Sequence, residues 1–397
     1  MLAGRRVLVG VSGGIACYKS CLLVRRLVEA GARVDVVLTA SAAEFVRPVT
    51  FEALSGRPVL TSLWEGGRAL DHIRLAREPD LVAVVPATAS VLARMAEGRA
   101  DDLLSAILLA REGPVLLAPA MNDAMFAAEP TRKNLAVLEA RGVTIVGPDV
   151  GALAEGPSER PGRMSEPEVI FEHIVRRLRA GGALQGRRVV VTAGATREEL
   201  DPVRVLTNRS SGKMGYRLAE AAWRRGADVV LVTGPSAEPP PVGVALRRIE
   251  TTAELAAAVG ETLAEADVLI MAAAPADYRP AEKASGKRAR REGAFSVTLE
   301  PTEDVLLSTR GRRRQGAVIV GFALETGDAE AKGRQKLDRK ALDLVVVNDA
   351  TEPGAGFEVD TNRVVILDRD GGRWDLPLAS KADIAEAILD RVEARLG

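Results

Sequence analysis

The stretch Val9-Gly10-Val11-Ser12-Gly13-Gly14-Ile15-Ala16 leaves an apolar run and enters a helical pattern. Free backbone N–H groups and the helix dipole at such a junction favour an anion, so a phosphate-bearing ligand is expected. The spacing is not G-x-G-x-x-G, and the second apolar run ends in Thr39-Ala40-Ser41, not in the acidic residue that a dinucleotide ribose needs. Hydroxyls there suit a phosphate; glycines that serve only a tight turn are the plainer alternative. Two more turns, Val85-Pro86-Ala87-Thr88-Ala89-Ser90 and Ala118-Pro119-Ala120-Met121-Asn122-Asp123, also follow apolar runs, where open α/β sheets place ligands. Of the two histidines, His72 has an imidazole suited to proton transfer near neutral pH, although taken alone it fits an exposed or capping loop position equally well. His173 reads as a surface residue of a helix.

A second set of turns lies beyond residue 190. Thr207-Asn208-Arg209-Ser210-Ser211-Gly212-Lys213-Met214-Gly215 invites comparison with G-x-x-x-x-G-K-[ST], but the opening Gly is missing and Met follows the Lys, so it is not a P-loop. Met271-Ala272-Ala273-Ala274-Pro275-Ala276-Asp277 and Gly321-Phe322-Ala323-Leu324-Glu325-Thr326 continue apolar runs. Only nine of the 54 basic residues are lysine, and five of those fall between Lys283 and Lys340. Compact ammonium groups make good point contacts to phosphates, and Lys336 and Lys340 share a helix face. Lys332 and Arg312-Arg313-Arg314 read as solvated surface.

The elements that must hold these residues follow from Val/Leu/Ile runs alternating with helical-period segments, the pattern of βα units on a parallel sheet buried on both faces. Strands are expected at 6–9, 34–38, 81–85, 115–118 and 144–146, with helices at 15–30, 88–97, 102–111, 131–141 and 168–180 and a loop over 151–167. The pattern restarts with strands at 188–192, 228–232, 268–271, 318–323 and 344–348, helices at 212–225, 252–266, 327–340 and 381–395, and a hairpin near 363–376. The expected fold is α/β, two successive Rossmann-like doubly wound domains spanning 1–183 and 187–397, split by the glycine-rich stretch near residue 185.

Composition sets the remaining bounds. Lys plus Arg and Asp plus Glu both number 54, which removes the electrostatic case for a nucleic-acid or anionic-membrane partner. The two cysteines, Cys17 and Cys21, lie four apart on one helix and build neither a disulfide framework nor a metal site. No run approaches 18 apolar residues and the first ten residues do not form a secretory signal, so a cytoplasmic protein is expected.

Together Ser12-Gly13-Gly14-Ile15-Ala16, Pro86-Ala87-Thr88-Ala89 and Pro119-Ala120-Met121-Asn122 resemble the homo-oligomeric flavin-containing cysteine decarboxylases, with a flavodoxin-like domain. The second half, with Asn208, Asp277, Lys287, Lys336 and Lys340, looks like the phosphopantothenate-cysteine ligases. In this order the halves resemble the bifunctional family of coenzyme A biosynthesis in which a phosphopantothenoylcysteine decarboxylase precedes a phosphopantothenate-cysteine ligase.

The resemblance implies FMN against Ser12, Gly13, Gly14, Ile15, Thr39, Ser41, Pro86, Ala87, Thr88, Ala89 and Met121, with His72 as acid/base and Asn122 holding the substrate carboxylate. The cysteinyl side chain would be oxidised to a thioaldehyde, carbon dioxide lost, and the enethiolate reduced. For the ligase it implies CTP and Mg²⁺, with 4'-phosphopantothenate activated as an acyl-cytidylate that cysteine then captures. Met271, Ala272, Ala273, Asp277, Lys287, Asp304, Val305, Phe322, Lys336 and Lys340 would contact CTP, Asp277 would serve the metal, and Asn208 and Lys287 would act in catalysis. Decarboxylase trimers and ligase dimers in a homo-oligomer are implied too.

Three positions depart from the family pattern. The family carries a flap cysteine as proton donor, but here the equivalent stretch is Leu153-Ala154-Glu155-Gly156, leading to Pro161-Gly162-Arg163-Met164. Glu155 would donate if burial raises its pKa; a solvent-facing Glu155, with another group or water in its place, is the alternative. Pro301-Thr302-Glu303-Asp304-Val305 replaces the usual Thr-Pro-Asp or Asn-Pro-Asp turn, and Ala289 replaces a lysine beside Arg290 and Arg291. The leading expectation is the bifunctional enzyme. The alternatives are an active ligase with an impaired decarboxylase and a non-catalytic flavin-binding regulator; a two-Rossmann NAD(P) reductase fails for want of the fingerprint.

Overall fold

A computed structural model describes residues 1–64, 70–287, 295–325, 327–349 and 359–397 in two compact units, 1–178 and 179–397. Ala289, Arg290, Arg291 and Thr326 fall outside the described residues.

In the first unit β1 (Arg6–Val11), β2 (Arg33–Leu38), β3 (Val59–Leu60), β4 (Leu81–Ala87), β5 (Val115–Pro119) and β6 (Thr144–Ile145) form a parallel sheet in the order β3-β2-β1-β4-β5-β6. Every residue of β4 is buried, as its unbroken Leu-Val-Ala-Val-Val-Pro-Ala run requires of a strand covered on both faces. Helices Cys17–Glu29, Pro48–Ser55 and Pro167–Leu178 pack on one face, and Asp71–Arg77, Ala89–Glu97, Leu103–Leu109 and Glu129–Ala140 on the other. The strand order reverses between β1 and β4, and the crevice at their carboxyl ends is where such sheets bind ligands.

The sequence reading gave 151–167 as loop throughout. Instead β7 (Asp149–Val150) pairs antiparallel with β8 (Pro161–Arg163), so the segment between them is a flap with a fixed base. His173 is also corrected: on helix Pro167–Leu178 it is half-buried, and burial together with Arg176 pushes its imidazole below its ordinary pKa.

The second unit contains β9 (Arg188–Ala193), β10 (Arg197–Glu199), β11 (Val205–Thr207), β12 (Asp228–Thr233), β13 (Ala245–Arg248), β14 (Val268–Met271), β15 (Tyr278–Pro280), β16 (Leu299–Pro301), β17 (Val318–Glu325), β18 (Leu344–Asp349), β19 (Thr361–Asp368) and β20 (Arg373–Ser380). Eight form the sheet β13-β12-β9-β14-β17-β18-β19-β20, parallel through β18 and antiparallel over the last two pairings. Helices Lys213–Arg224 and Lys381–Leu396 cover one face, Thr252–Thr262 and Ala329–Arg339 the other. Arg225, buried, donates to Glu386, Asp390 and Glu393 of the last helix at 2.6–2.7 Å. Arg313 is not the solvated residue expected: its guanidinium donates to the Leu306, Lys340 and Ala341 carbonyls, and burial depresses its pKa.

Candidate functional site

The first site is a cavity of about 690 Å³ in the first unit, a size at which sites enclose a cofactor. Ser12, 1% exposed, ends β1; its Oγ donates to the Pro86 carbonyl at 2.8 Å and accepts from the Thr88 amide at 3.0 Å. One hydroxyl thus joins the turns after β1 and β4. A side chain at Gly13 would put Cβ 2.5 Å from Ser41 Cβ and 2.7 Å from the Ser41 carbonyl carbon, so only glycine fits that approach. Ser12, Gly13, Gly14, Ile15, Ser41, Thr88, Ala89, Met121, Asn122 and Glu155 line the cavity. Thr39 supports it from behind, accepting from the Ala42 amide and lying 3.3 Å from Ser41 Oγ, while Pro86 and Ala87 form the buried end of β4. Hydroxyls and turn amides at one end and Ile15, Ala89, Met121 and Met125 around it suit a phosphate joined to a flat apolar ring, so these residues fit FMN.

Asn122 Oδ1 accepts from the Ala124 amide at 2.8 Å and its Nδ2 donates to Glu155 of the flap, across the cavity mouth. Glu155 is exposed, so the burial that the sequence reading asked of it is not present in this chain. His72 lies in helix Asp71–Arg77 and is not among the residues that line the cavity; its Nδ1 is buried with no hydrogen-bond partner among the described residues.

Sequence reasoning overlooked Lys19. It is 7% exposed on the first helix, lines the cavity, and donates to Glu166 Oε1 at 2.9 Å and to the Met164 carbonyl at 3.4 Å. The one available signal was a lysine near the glycine turn of a chain otherwise rich in arginine.

The second site comprises cavities of about 350 and 160 Å³ in the second unit that share Ala273, Pro275, Asp277, Phe322 and Lys340. They lie past the carboxyl ends of β9, β14 and β17. The Thr192 hydroxyl accepts from the Ala273 amide at 3.0 Å, fixing the turn after β14. Asn208 Nδ2 donates to the Ala274 and Pro275 carbonyls at 3.2 and 3.0 Å. Gly215 lets helix Lys213–Arg224 approach β9, since a Cβ there would meet Ala193 Cβ at 2.5 Å.

Lys336 Nζ lies 2.6 Å from Glu325 Oε1, and Lys340 Nζ 2.9 Å from Asp304 Oδ2. Both ammonium groups line the larger cavity, with Ala272 and Asn208, while Met271, Asp304 and Val305 line the smaller. Lys287 is exposed and lines neither. Lys332, expected to be solvated, lies 3.7 Å from Glu325 Oε2. Asp277 is exposed at both cavities, and among the described residues no three His, Cys, Asp or Glu side chains gather into a metal cage. A metal there would be held by Asp277 and mainly by phosphate and water, the usual arrangement for magnesium. Lys213, weighed in the sequence only as a P-loop lysine and pairing with Asp360 at 2.6 Å, also lines the cavity, as does the buried Lys381, which was not singled out.

Residues 1–179 match the Flavoprotein family, and residues 184–396 match the DNA/pantothenate metabolism flavoprotein C-terminal domain. The protein named "Coenzyme A biosynthesis bifunctional protein CoaBC" is 42% identical in Vibrio vulnificus (strain YJ016), over 100% of this chain and 99% of that protein. Its namesake in Bacillus subtilis (strain 168) is 42% identical over 99% and 98%, and that in Mycobacterium tuberculosis (strain ATCC 25618 / H37Rv) 45% identical over 98% and 96%. A solved C-terminal domain of a CoaBC protein aligns with 54% of this chain and 98% of its own at 38% identity and a TM-score of 0.46. By these full-length matches the chain belongs to the family of coenzyme A biosynthesis bifunctional proteins.

Proposed function

We propose that the second unit ligates cysteine to 4'-phosphopantothenate using CTP and that the first decarboxylates the product to 4'-phosphopantetheine with FMN. The observation that carries this reading is that Asn208, Asp277, Phe322, Lys336 and Lys340, far apart in sequence, line one cavity at the carboxyl ends of the second sheet. In the ligase the substrate carboxylate attacks the α-phosphorus of CTP, giving acyl-cytidylate and pyrophosphate; the cysteine amine then attacks the acyl carbon and releases CMP. Lys336 and Lys340 meet the nucleotide by exchanging Glu325 and Asp304 for it, and Asp277 would hold Mg²⁺ together with the phosphates and water. Asn208 holds the Ala274-Pro275 turn and gives up one of its two carbonyl contacts to bind the acyl oxygen. Lys287, outside both cavities, offsets the charge that develops on the phosphates only when its loop is carried to the bound nucleotide.

In the first unit the bound FMN supplies two-electron oxidation of the cysteinyl side chain and the return of those electrons. The chain's own residues position and move protons: Asn122 orients the substrate carboxylate, and because Glu155 is exposed, water at the flap supplies the proton for the last reduction while Glu155 holds the flap tip to Asn122. His72 takes its acid/base part from a neighbouring subunit of a homo-oligomer. Ile15 and Tyr18 at the cavity, with Leu22 one turn beyond Tyr18 on the same helix, are each more than half exposed and support such contacts, as do the exposed Val203 and Tyr278 in the ligase unit. The reading sets decarboxylase trimers and ligase dimers in a cytoplasmic enzyme. The free thiols of Cys17 and Cys21 suit a reducing compartment, and no described helix is long and apolar enough to cross a membrane.

The test is anaerobic incubation of the FMN-loaded protein with CTP, Mg²⁺, cysteine and 4'-phosphopantothenate. One pyrophosphate and one CMP per ligation, then carbon dioxide and 4'-phosphopantetheine by mass, are expected. Ligation that proceeds with ATP but not CTP overturns the nucleotide assignment, and an absence of carbon dioxide overturns the decarboxylase assignment.

A further inference from the structure

Three consecutive residues of the turn that floors the first cavity hold the flap. The Met121 amide donates to the Gly162 carbonyl at 3.0 Å, Asn122 Nδ2 donates to Glu155, and Asp123 Oδ2 accepts from Ser158 Oγ at 2.6 Å and Arg160 Nε at 3.2 Å. Ser158 Oγ in turn accepts from the Arg160 amide at 3.1 Å, so the serine and arginine meet the carboxylate as one preformed turn. At the base of the flap a Cβ on Gly162 would stand 2.7 Å from the Met121 carbonyl oxygen and 3.1 Å from the Asp123 amide nitrogen, so the two backbones are in direct contact. At its tip Leu153 and Gly156 exchange backbone hydrogen bonds of 2.8 and 3.1 Å, which presents Ala154 and Glu155 to the cavity mouth.

We propose that Asp123, through Ser158 and Arg160, is a positioning residue that latches this flap closed, so that the unsaturated enethiol is reduced before it escapes. The inference rests on the decarboxylase reading above. Loss of carbon dioxide leaves the bond's electron pair in the carbon–carbon double bond of the enethiolate. Saturating that bond takes one hydride, returning the two electrons removed in the first half, and one proton; until both arrive the intermediate is free to leave through an open mouth. Asn122 contacts only the exposed tip of the flap, whereas Asp123 grips the arm between that tip and β8 with a serine hydroxyl and a guanidinium. These donors also hold the Asp123 carboxyl below its ordinary pKa, so the latch stays charged at neutral pH.

The experiment compares wild type, Asp123→Ala and Ser158→Ala as FMN-loaded proteins turning over 4'-phosphopantothenoylcysteine anaerobically, with the enethiol and saturated thiol quantified by mass. The ratio of enethiol to saturated thiol should rise about fivefold to tenfold in both variants, the scale of one partly exposed charge-assisted hydrogen bond. Hydrogen exchange on the cofactor-free proteins supplies a second readout: the Leu153 and Gly156 amides should exchange faster in the variants while the β4 amides stay protected. An unchanged ratio with unchanged flap exchange overturns the latch, and faster exchange with an unchanged ratio overturns its role in retaining the intermediate. Absence of carbon dioxide from wild type overturns the decarboxylase reading and the catalytic half of this proposal together, which sets that failure apart from a failed latch.

Discussion

Lys19 Nζ stands 2.9 Å from Glu166 Oε1 at the wall of the first cavity, an ammonium on a side chain 9% exposed facing a carboxylate 44% exposed. A buried charge is tolerated only with its partner, so Glu166→Gln leaves the ammonium with the Met164 carbonyl and a neutral amide in place of its countercharge. Discounted for the exposure of Glu166, the cost is about 1–2 kcal/mol in denaturant unfolding of the first unit. Lys19→Met, which removes the charge and keeps the bulk, costs less than Glu166→Gln. The reverse order would show that the pair is not what stabilises this wall.

Titration of His173 should be visible in the stability of the same unit. Its folded pKa lies below its ordinary value near 6.5, so the unfolded chain takes up the proton more readily. Stability is therefore full above about pH 6.5 and falls as pH drops through that value toward the lower folded one. His173→Gln should flatten the melting temperature across pH 7 to 5, and an equally steep fall in the variant would assign the effect elsewhere.

Gly13→Ala drives Cβ into Ser41, and the overpacking costs about 1–3 kcal/mol unless the turn moves. Flavin binding, read by absorbance and by fluorescence quenching, should be lost or strongly weakened. CTP-dependent pyrophosphate release by the same protein should persist, because Gly13 belongs to the first unit alone.

Lys340→Ala should raise the KM for CTP about tenfold to a hundredfold, and the decarboxylation of supplied 4'-phosphopantothenoylcysteine should be unaffected. Asp304→Asn removes the carboxylate that Lys340 contacts at 2.9 Å, and it also caps helix Val305–Ser308, where Asp304 accepts from the Leu307 amide at 3.4 Å. Steady-state kinetics with CTP varied would separate the two effects, since loss of the cap lowers stability rather than the apparent affinity alone.

How much of this was legible in the sequence depends on which signal each element carries. The Val/Leu runs of β1, β2, β4, β9, β12 and β14 betray strands buried on both faces. By contrast β13 reads Ala-Leu-Arg-Arg and lies at the sheet edge, where one side needs no apolar cover, so no periodicity marks it. The hairpin pairing of β7 with β8 rests on residues Asp149, Pro161 and Arg163, which look like loop by composition. The glycine and proline turns of both cavities were readable because backbone geometry dictates their residue types. Lys19 was not, because a lysine on an amphipathic helix ordinarily points to solvent, and only the tertiary partner Glu166 explains why this one is buried. His72 shows the opposite limit: its chemistry was plain from its type, but that it does not line the cavity of its own chain is a property of the fold.

The second sheet ends at β20, whose Arg373, Trp374, Asp375, Leu376 and Pro377 alternate in exposure along the outermost strand. Pro377 has no amide hydrogen to offer a newcomer, and a flat strand laid alongside would have to disturb the exposed ion pairs that Arg373 makes with Glu330 and Asp375. An eight-stranded sheet is wide enough to template its own growth into aggregates, and this border of one imino acid and two opposed charges is where that growth is stopped.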